Sequence, residues 1–272
     1  MDLEKKVAIV TGGGRGIGRA LAIQFAGLGA HVIVADIDQG AAEAVAREVD
    51  GLGLAADVTR ESDVQSLVAA ARERYGPIDL FCSNAGVCLG EGEHAASATN
   101  DVWQLNWNVH VMAHVYAARA VLPDMIARGD GYLVQMASAA GLLAQIGDAA
   151  YSASKHAAVS FAESLAISHA DDGVKVSVVC PQYVATPMLG YGDSAEDGNA
   201  PGRVLSAEAV AEAVAEGIAD ETFLILPHPQ VAKFATFKAG SRARWLAAMR
   251  KLRRGILDEA GTLDVAKMHR LV

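Results

Sequence analysis

Val7-Ala8-Ile9-Val10-Thr11-Gly12-Gly13-Gly14-Arg15-Gly16-Ile17-Gly18 decides the fold. Residues 7–10 are an apolar, β-branched run of strand length. The glycines form a turn, and residues 19–28 continue with helical periodicity. Strand, glycine turn and helix make the opening βα unit of a dinucleotide-binding fold. Glycines let a backbone come close to a pyrophosphate, and a helix N-terminus offers free N–H groups and a positive dipole end. The spacing Gly12-x3-Gly16-x-Gly18 departs from the ordinary G-x-G-x-x-G fingerprint.

Outward from this unit, strands and helices alternate. Residues 31–35 form a second strand ending in Asp36, roughly 20 positions after the glycines. An acidic residue there hydrogen-bonds a ribose 2′-OH and repels a 2′-phosphate. The position also suits an N-cap for the helix over 39–49. Strands follow at 52–56, 78–83, 132–137, 174–180 and 223–226, with helices at 61–75, 149–170 and 207–219. A long helical stretch runs from about 100 to 128, with Pro123 expected to kink or interrupt it. The pattern predicts an α/β, single-domain, doubly wound Rossmann fold: a seven-stranded parallel sheet with helices on both faces. Residues 188–204 lack periodicity and are rich in Gly, Asp, Ser and Pro, which reads as a loop. Residues 1–272 read as one domain, with no internal repeat and no linker.

The chain is 52% hydrophobic and carries 20% charged residues, enough to bury a substantial core. No apolar run approaches the ~20 residues of a membrane span. Met1-Asp2-Leu3-Glu4-Lys5-Lys6 leads straight into a strand and does not resemble a signal peptide. Cys82, Cys88 and Cys180 form neither a metal spacing nor a disulfide framework, so a reduced, cytoplasmic protein without a metal is expected. A net charge of −9 argues against nucleic-acid binding. The C-terminal region breaks that balance: residues 233–254 hold eight basic and no acidic residues. Phe234, Phe237, Trp245, Leu246, Met249 and Leu252 interleave with the charges, predicting an amphipathic helical extension over about 229–260. It is expected to pack across the domain or on a partner subunit of a homo-oligomer, tetramer before dimer, rather than on a membrane.

The chemistry points to Tyr151-Ser152-Ala153-Ser154-Lys155. Residues four apart on a helix share one face. A phenol titrates near pH 10, too high for a base at neutrality. A fixed ammonium beside it is expected to lower that value into the range of a working proton acceptor.

These motifs together resemble the short-chain dehydrogenase/reductase family, in its compact type, over about residues 5–226. The resemblance rests on Thr11-Gly12-x3-Gly16-x-Gly18, Asp57, Asn84-Ala85-Gly86, Ser138 thirteen residues before Tyr151, Tyr151-x3-Lys155, and the Pro181 to Thr186 segment. It implies hydride transfer between NAD(H) and a small-molecule secondary alcohol or ketone. Tyr151 would exchange the hydroxyl proton, Lys155 would bind the nicotinamide ribose, and Ser138 would hold the substrate oxygen. Gly12, Arg15, Gly16, Ile17 and Gly18 would cradle the pyrophosphate. Asp36 and Ile37 would meet the adenosine ribose, and Asp57 and Val58 the adenine. Asn84, Ala85 and Gly86 would line the cofactor, with Pro181, Val184 and Thr186 at the carboxamide.

Two positions depart from the family pattern. Gln182 stands where a glycine usually follows the proline. His110 stands where the long helix usually carries a catalytic asparagine, with Asn106 and Asn108 out of register. His110 is expected to point inward, to stay neutral, and to serve in proton relay. Asp36 favours NAD, whereas Arg15 is a residue type common in NADP-using relatives; it could pair with Asp36 or reach a phosphate. Competing readings are an NADP-dependent ketone reductase, a cofactor-binding regulator without turnover, and an epimerase or dehydratase of the longer branch. The last would show T-G-x-x-G-x-x-G, with a glycine where Arg15 stands. Leu142, Leu143, Ile146, Tyr183, Met188 and Leu189 are candidates for an apolar substrate pocket, with the 188–204 loop above it as a lid.

Overall fold

The computed structural model describes residues 1–192 and 204–271. Its first half alternates β1 (Val7–Thr11), α1 (Gly16–Gly27), β2 (His31–Asp36), α2 (Gln39–Glu48), β3 (Leu52–Ala55), α3 (Glu61–Tyr75) and β4 (Leu80–Ser83). Then come α4 (Asn100–Trp107), a π-helical turn (Asn108–Met112), α5 (Ala113–Arg128), β5 (Gly131–Met136), α6 (Ala149–His169) and β6 (Val174–Val179). A short ribbon pairs β7 (Val184–Ala185) with β8 (Leu205–Ser206), followed by α7 (Ala207–Ala219) and β9 (Leu224–Ile225).

Seven strands form one parallel sheet in the order β3-β2-β1-β4-β5-β6-β9, as the alternation predicts. Each strand side chain chooses a face by parity. Ala8 and Val10 pack with Leu21 and Phe25 of α1 and Val210 and Val214 of α7. Val7 and Ile9 pack on the other face with Leu67 of α3, Met125 of α5 and Leu165 of α6. Both faces being covered explains why the strands read as continuous Val/Ile runs. Strand order reverses between β1 and β4, so a crevice opens beyond their carboxyl ends, where open α/β sheets bind ligands.

Two expectations are corrected. Pro123 neither breaks nor interrupts its helix; α5 runs through it. Proline removes one N–H from the helix ladder, and on that turn Arg72 Nη2 donates to Ala120 O at 3.3 Å. The irregularity lies earlier, at the π-helical turn that carries His110. The C-terminal extension is not one amphipathic helix but two, α8 (Gln230–Gly240) and α9 (Arg242–Ala260). Gly240 is a poor helix former, and Ser241 takes an extended conformation (φ −156°, ψ 92°) that turns the chain. Only Trp245 among the interleaved residues is buried, while Phe234, Phe237 and Leu246 are exposed. A final short helix, α10 (Val265–Met268), has no counterpart in the sequence reading. Most of the expected lid, residues 193–203, lies outside the described residues.

Candidate active site

Every strand of the central sheet delivers a site residue at its carboxyl end. β1 leads into the glycine turn. Gly12 has φ +61°, and a Cβ on it would stand 2.8 Å from Ala85 Cα, so only glycine lets this turn sit against the segment after β4. A Cβ on Gly18 would run into Gly12 O. Asn84 stitches the two segments together: its Nδ2 donates to Thr11 O (2.9 Å) and Gly12 O (3.2 Å), while Thr11 Oγ1 accepts from Asn84 N at 3.0 Å. The N-cap of α1, Arg15, makes no side-chain hydrogen bond to the first turn. This is a backbone cradle with a helix N-terminus aimed at it, and the residues fit a pyrophosphate. Ile17 packs half-buried below.

Asp36 ends β2, with Oδ2 accepting from Gly14 N at 2.9 Å and Oδ1 from Asp38 N at 3.1 Å. It does not cap α2; Asp38 does, accepting from Ala41 N at 3.1 Å. Asp38 also takes the Arg15 guanidinium at 3.2 Å, so the suggested Arg15–Asp36 pair does not form. Ile37 stands exposed beside Asp36. Asp57 Oδ1 holds Thr59 N (2.9 Å) and Oγ1 (2.7 Å), an Asx turn that shapes the loop containing Val58. Pro181 O accepts from Ala139 N, tying the ends of β5 and β6. Thr186 Cγ2 lies 3.3 Å from where a Gly16 Cβ would be, which closes the ring of candidate cofactor residues back on the glycine turn.

Ser138, at the tip of β5, hydrogen-bonds the Tyr151 phenol. Lys155, one turn along α6, is buried and donates to Met136 O at 2.8 Å. Its Nζ lies 5.6 Å from the Tyr151 ring centroid, over the ring rather than at the hydroxyl. The expectation that this ammonium brings the phenol down is therefore not met by the chain alone. Burial pushes the Tyr151 phenol up, the Ser138 bond opposes this, and Cys88, Asp148 and Cys180 add to the rise. Burial also brings Lys155 down to about 8.

His110 points inward and is fully buried. Its Nε2 accepts from Val87 N at 3.0 Å, so the proton of the neutral ring sits on Nδ1, which donates to Ser154 Oγ at 2.9 Å. Ser154 in turn donates to Tyr151 O at 2.9 Å. The His110 ring meets the Tyr151 ring edge-on, with centroids 5.3 Å apart. Burial first, then the Lys155 charge, holds His110 well below its ordinary value. With both nitrogens engaged, its geometry is that of a brace for Tyr151 rather than of a proton relay. Gln182, the other departure, is held by the C-terminal extension: its N–H donates to His228 Nδ1 at 3.1 Å, and Gln230 Nε2 donates to its Oε1 at 3.3 Å.

Sequence reasoning missed Asp148. This buried carboxylate caps α6, with Oδ1 accepting from Tyr151 N (3.0 Å) and Oδ2 from Gly90 N (2.8 Å). Glu91 reciprocates, accepting from Ala149 N at 2.9 Å. An Asp directly before a helix was the available signal. Lys238 of α8 also went unassigned; it grips Leu142 O (2.7 Å), Leu143 O (2.5 Å) and His156 Nε2 (3.0 Å).

A glycine cradle, an acidic strand end and a Ser–Tyr–Lys cluster at one crevice define a nicotinamide-dependent oxidoreductase of the Rossmann type. Comparison with known proteins agrees: residues 6–197 match the family described as short chain dehydrogenase. A 1-deoxy-11-beta-hydroxypentalenate dehydrogenase of Streptomyces exfoliatus is 37% identical over 83% of this chain and 84% of its own length. Oxidoreductase UcpA of Escherichia coli is 32% identical over 96% of both chains. A solved short chain dehydrogenase/reductase of Burkholderia phymatum, in complex with NAD, superposes with a TM-score of 0.79 at 30% identity, covering 88% of this chain and 95% of that one. The chain belongs to the short-chain dehydrogenase/reductase family. It is an oxidoreductase that acts on small molecules, and among the described residues no helix is long and apolar enough to cross a membrane.

Proposed function

We propose that this protein transfers hydride between NAD(H) and an apolar secondary alcohol or its ketone, with Tyr151 as general acid/base. The observation that carries the reading is the Ser138–Tyr151 hydrogen bond at the crevice, one helical turn from buried Lys155 and next to the glycine cradle. In the oxidation, Ser138 Oγ holds the substrate hydroxyl while the Tyr151 phenolate takes its proton. The C–H bond pair leaves as hydride, giving ketone, NADH and one proton. When bound, the nicotinamide ring supplies the hydride acceptor and, in its oxidised form, a positive charge. Tyr151 needs such a charge, because in the chain alone its phenol is held up by burial. Lys155 binds the nicotinamide ribose and keeps the phenol's surroundings cationic. The remaining residues named in the cradle and at Asp36, Ile37, Asp57, Val58, Asn84–Gly86, Pro181, Val184 and Thr186 hold the cofactor. His110 and Ser154 brace the tyrosine.

NAD is preferred over NADP because the carboxylate of Asp36, already fixed by two backbone N–H groups, meets a 2′-phosphate as a like charge. Arg15 is engaged by Asp38, which supports this choice. Residues 1–272 act as one catalytic unit, with a core of about 5–226 and the helical extension of about 229–260 packed on it. It works in the cytoplasm as a homo-oligomer, tetramer before dimer. Exposed Trp103, Leu105 and Trp107 on α4, and Phe234, Phe237 and Leu246 on the extension, support subunit contact. A monomeric mass in light scattering would contradict that.

The test is NADH absorbance with purified protein and a panel of secondary alcohols. We expect turnover, with kcat/KM at least about tenfold higher for NAD than for NADP, a difference of ~1.4 kcal/mol. Higher efficiency with NADP, or no turnover of any alcohol, would overturn the reading.

A further inference from the structure

The chain after α9 carries no motif, yet it folds back over the Tyr151 end of the sheet. α9 ends on Gly261 in the left-handed conformation (φ 65°), which reverses the chain. Leu263 then lies against Gly147. That glycine has φ +81°, and a Cβ on it would stand 2.5 Å from Leu263 O, so the approach requires glycine. Asp264 caps α10, accepting from Ala266 N at 2.9 Å. Val265 joins Tyr183 and Leu189 in a small apolar cluster that Cys88 and Tyr191 extend. Met268 is only 1% exposed, its Sδ 3.8 Å from Gln145 Nε2. His269, also buried, donates from Nδ1 to Val265 O at 2.9 Å; its Nε2 then accepts the Tyr191 hydroxyl at 2.8 Å.

Each partner of this segment belongs to a loop that borders the catalytic cluster. Cys88 follows β4, Gln145 and Gly147 lead into α6, and Tyr183 and Leu189 follow β6. Between residues 261–266 and the loop of residues 88–94 lies a cavity of about 380 Å³, walled also by Met188 and Leu257. That volume is near the lower end of small-molecule sites, ~300 Å³.

We propose that residues 261–271 form the distal wall of the substrate site, with Val265 and Met268 setting the size of the apolar group on the reacting carbon. The inference rests on the proposed alcohol/ketone chemistry and narrows it to substrates with a compact apolar substituent. A packed wall discriminates by size, since one methylene too many in such a pocket is worth about 10- to 200-fold. The Tyr191–His269 hydrogen bond holds the wall to the turn after β7.

The experiment is steady-state kinetics on full-length protein with secondary alcohols graded from compact to bicyclic. Met268→Ala and Val265→Ala should each raise kcat/KM for the bulkiest alcohol relative to the most compact by about tenfold, through KM rather than kcat, with NADH affinity unchanged. Met268→Leu, close in volume, should keep the wild-type profile and serves as the control for folding. An unchanged size profile in both alanine variants, at wild-type melting temperature, overturns the inference while leaving the alcohol chemistry intact. Binding of NADH without turnover of any alcohol by the wild type would instead bring down the functional reading, and this inference with it.

Discussion

At the cofactor end of the crevice, backbone makes the site. Gly12 and Gly18 are fixed by what a Cβ would strike, Asn84 bonds main-chain carbonyls, and Asp36 is held by two N–H groups. At the substrate end, side chains make it, gathered from positions far apart in sequence: Cys88, Asp148, Tyr183, Val265 and Met268. Backbone shape tolerates few residue types, so the first end keeps one ligand. Side-chain walls can change volume at modest cost, so the second can follow its substrate.

Breaking the first end should therefore have the largest effect. Gly18→Ala would drive its Cβ into Gly12 O and to within 2.6 Å of Asn84 Nδ2, pulling the turn off its neighbouring strand. NADH affinity, read by fluorescence titration, should fall by about 100-fold, ~2.7 kcal/mol. Affinity within threefold of wild type would mean the cradle is not where the cofactor sits.

His110 joins the two ends, so its loss should cost less. His110→Ala leaves Val87 N–H unpaired and frees Ser154, which should slow turnover about tenfold and destabilise the fold by about 1–3 kcal/mol in denaturant titration. His110→Asn should recover most of the rate. Because burial holds the ring well below its ordinary value, the wild-type pH–rate profile should show no inflection near pH 6.5 from this residue. Such an inflection, absent in the alanine variant, would assign it the relay role instead.

Asp148→Asn sharpens the comparison from the substrate side. The amide can still accept from Tyr151 N but would turn an N–H toward Gly90 N, costing about 1–3 kcal/mol of stability. Its charge also disfavours the phenolate. Removing it should move the rise of activity with pH to lower pH, with kcat at the plateau changed less than about fivefold. A shift to higher pH would contradict this placement of the charge.

The same contrast explains what could be read from sequence. The glycine turn and the strand alternation are local signals, and Val/Ile runs buried on both faces leave a clear trace, so the sheet was legible. Tyr151 and Lys155 were legible as a pair, but their titration was not: it depends on the packing of Cys88, Asp148 and Cys180 around the phenol, which no spacing encodes. The π-helical turn at His110 and passage of α5 through Pro123 depend on tertiary partners. The wall over residues 261–271 comes from a chain reversal at Gly261 and contacts more than a hundred residues away, for which the sequence carries no periodic signature.

The central claim is that Tyr151 moves the proton while the rest of the crevice holds the cofactor. Its most direct test is Tyr151→Phe, with kcat from NADH formation on the best secondary alcohol and NADH affinity by titration on the same sample. The account predicts a loss in kcat of about 100-fold or more, with affinity within about threefold of wild type. Retention of more than about a tenth of wild-type kcat, a loss below ~1.4 kcal/mol, would contradict it.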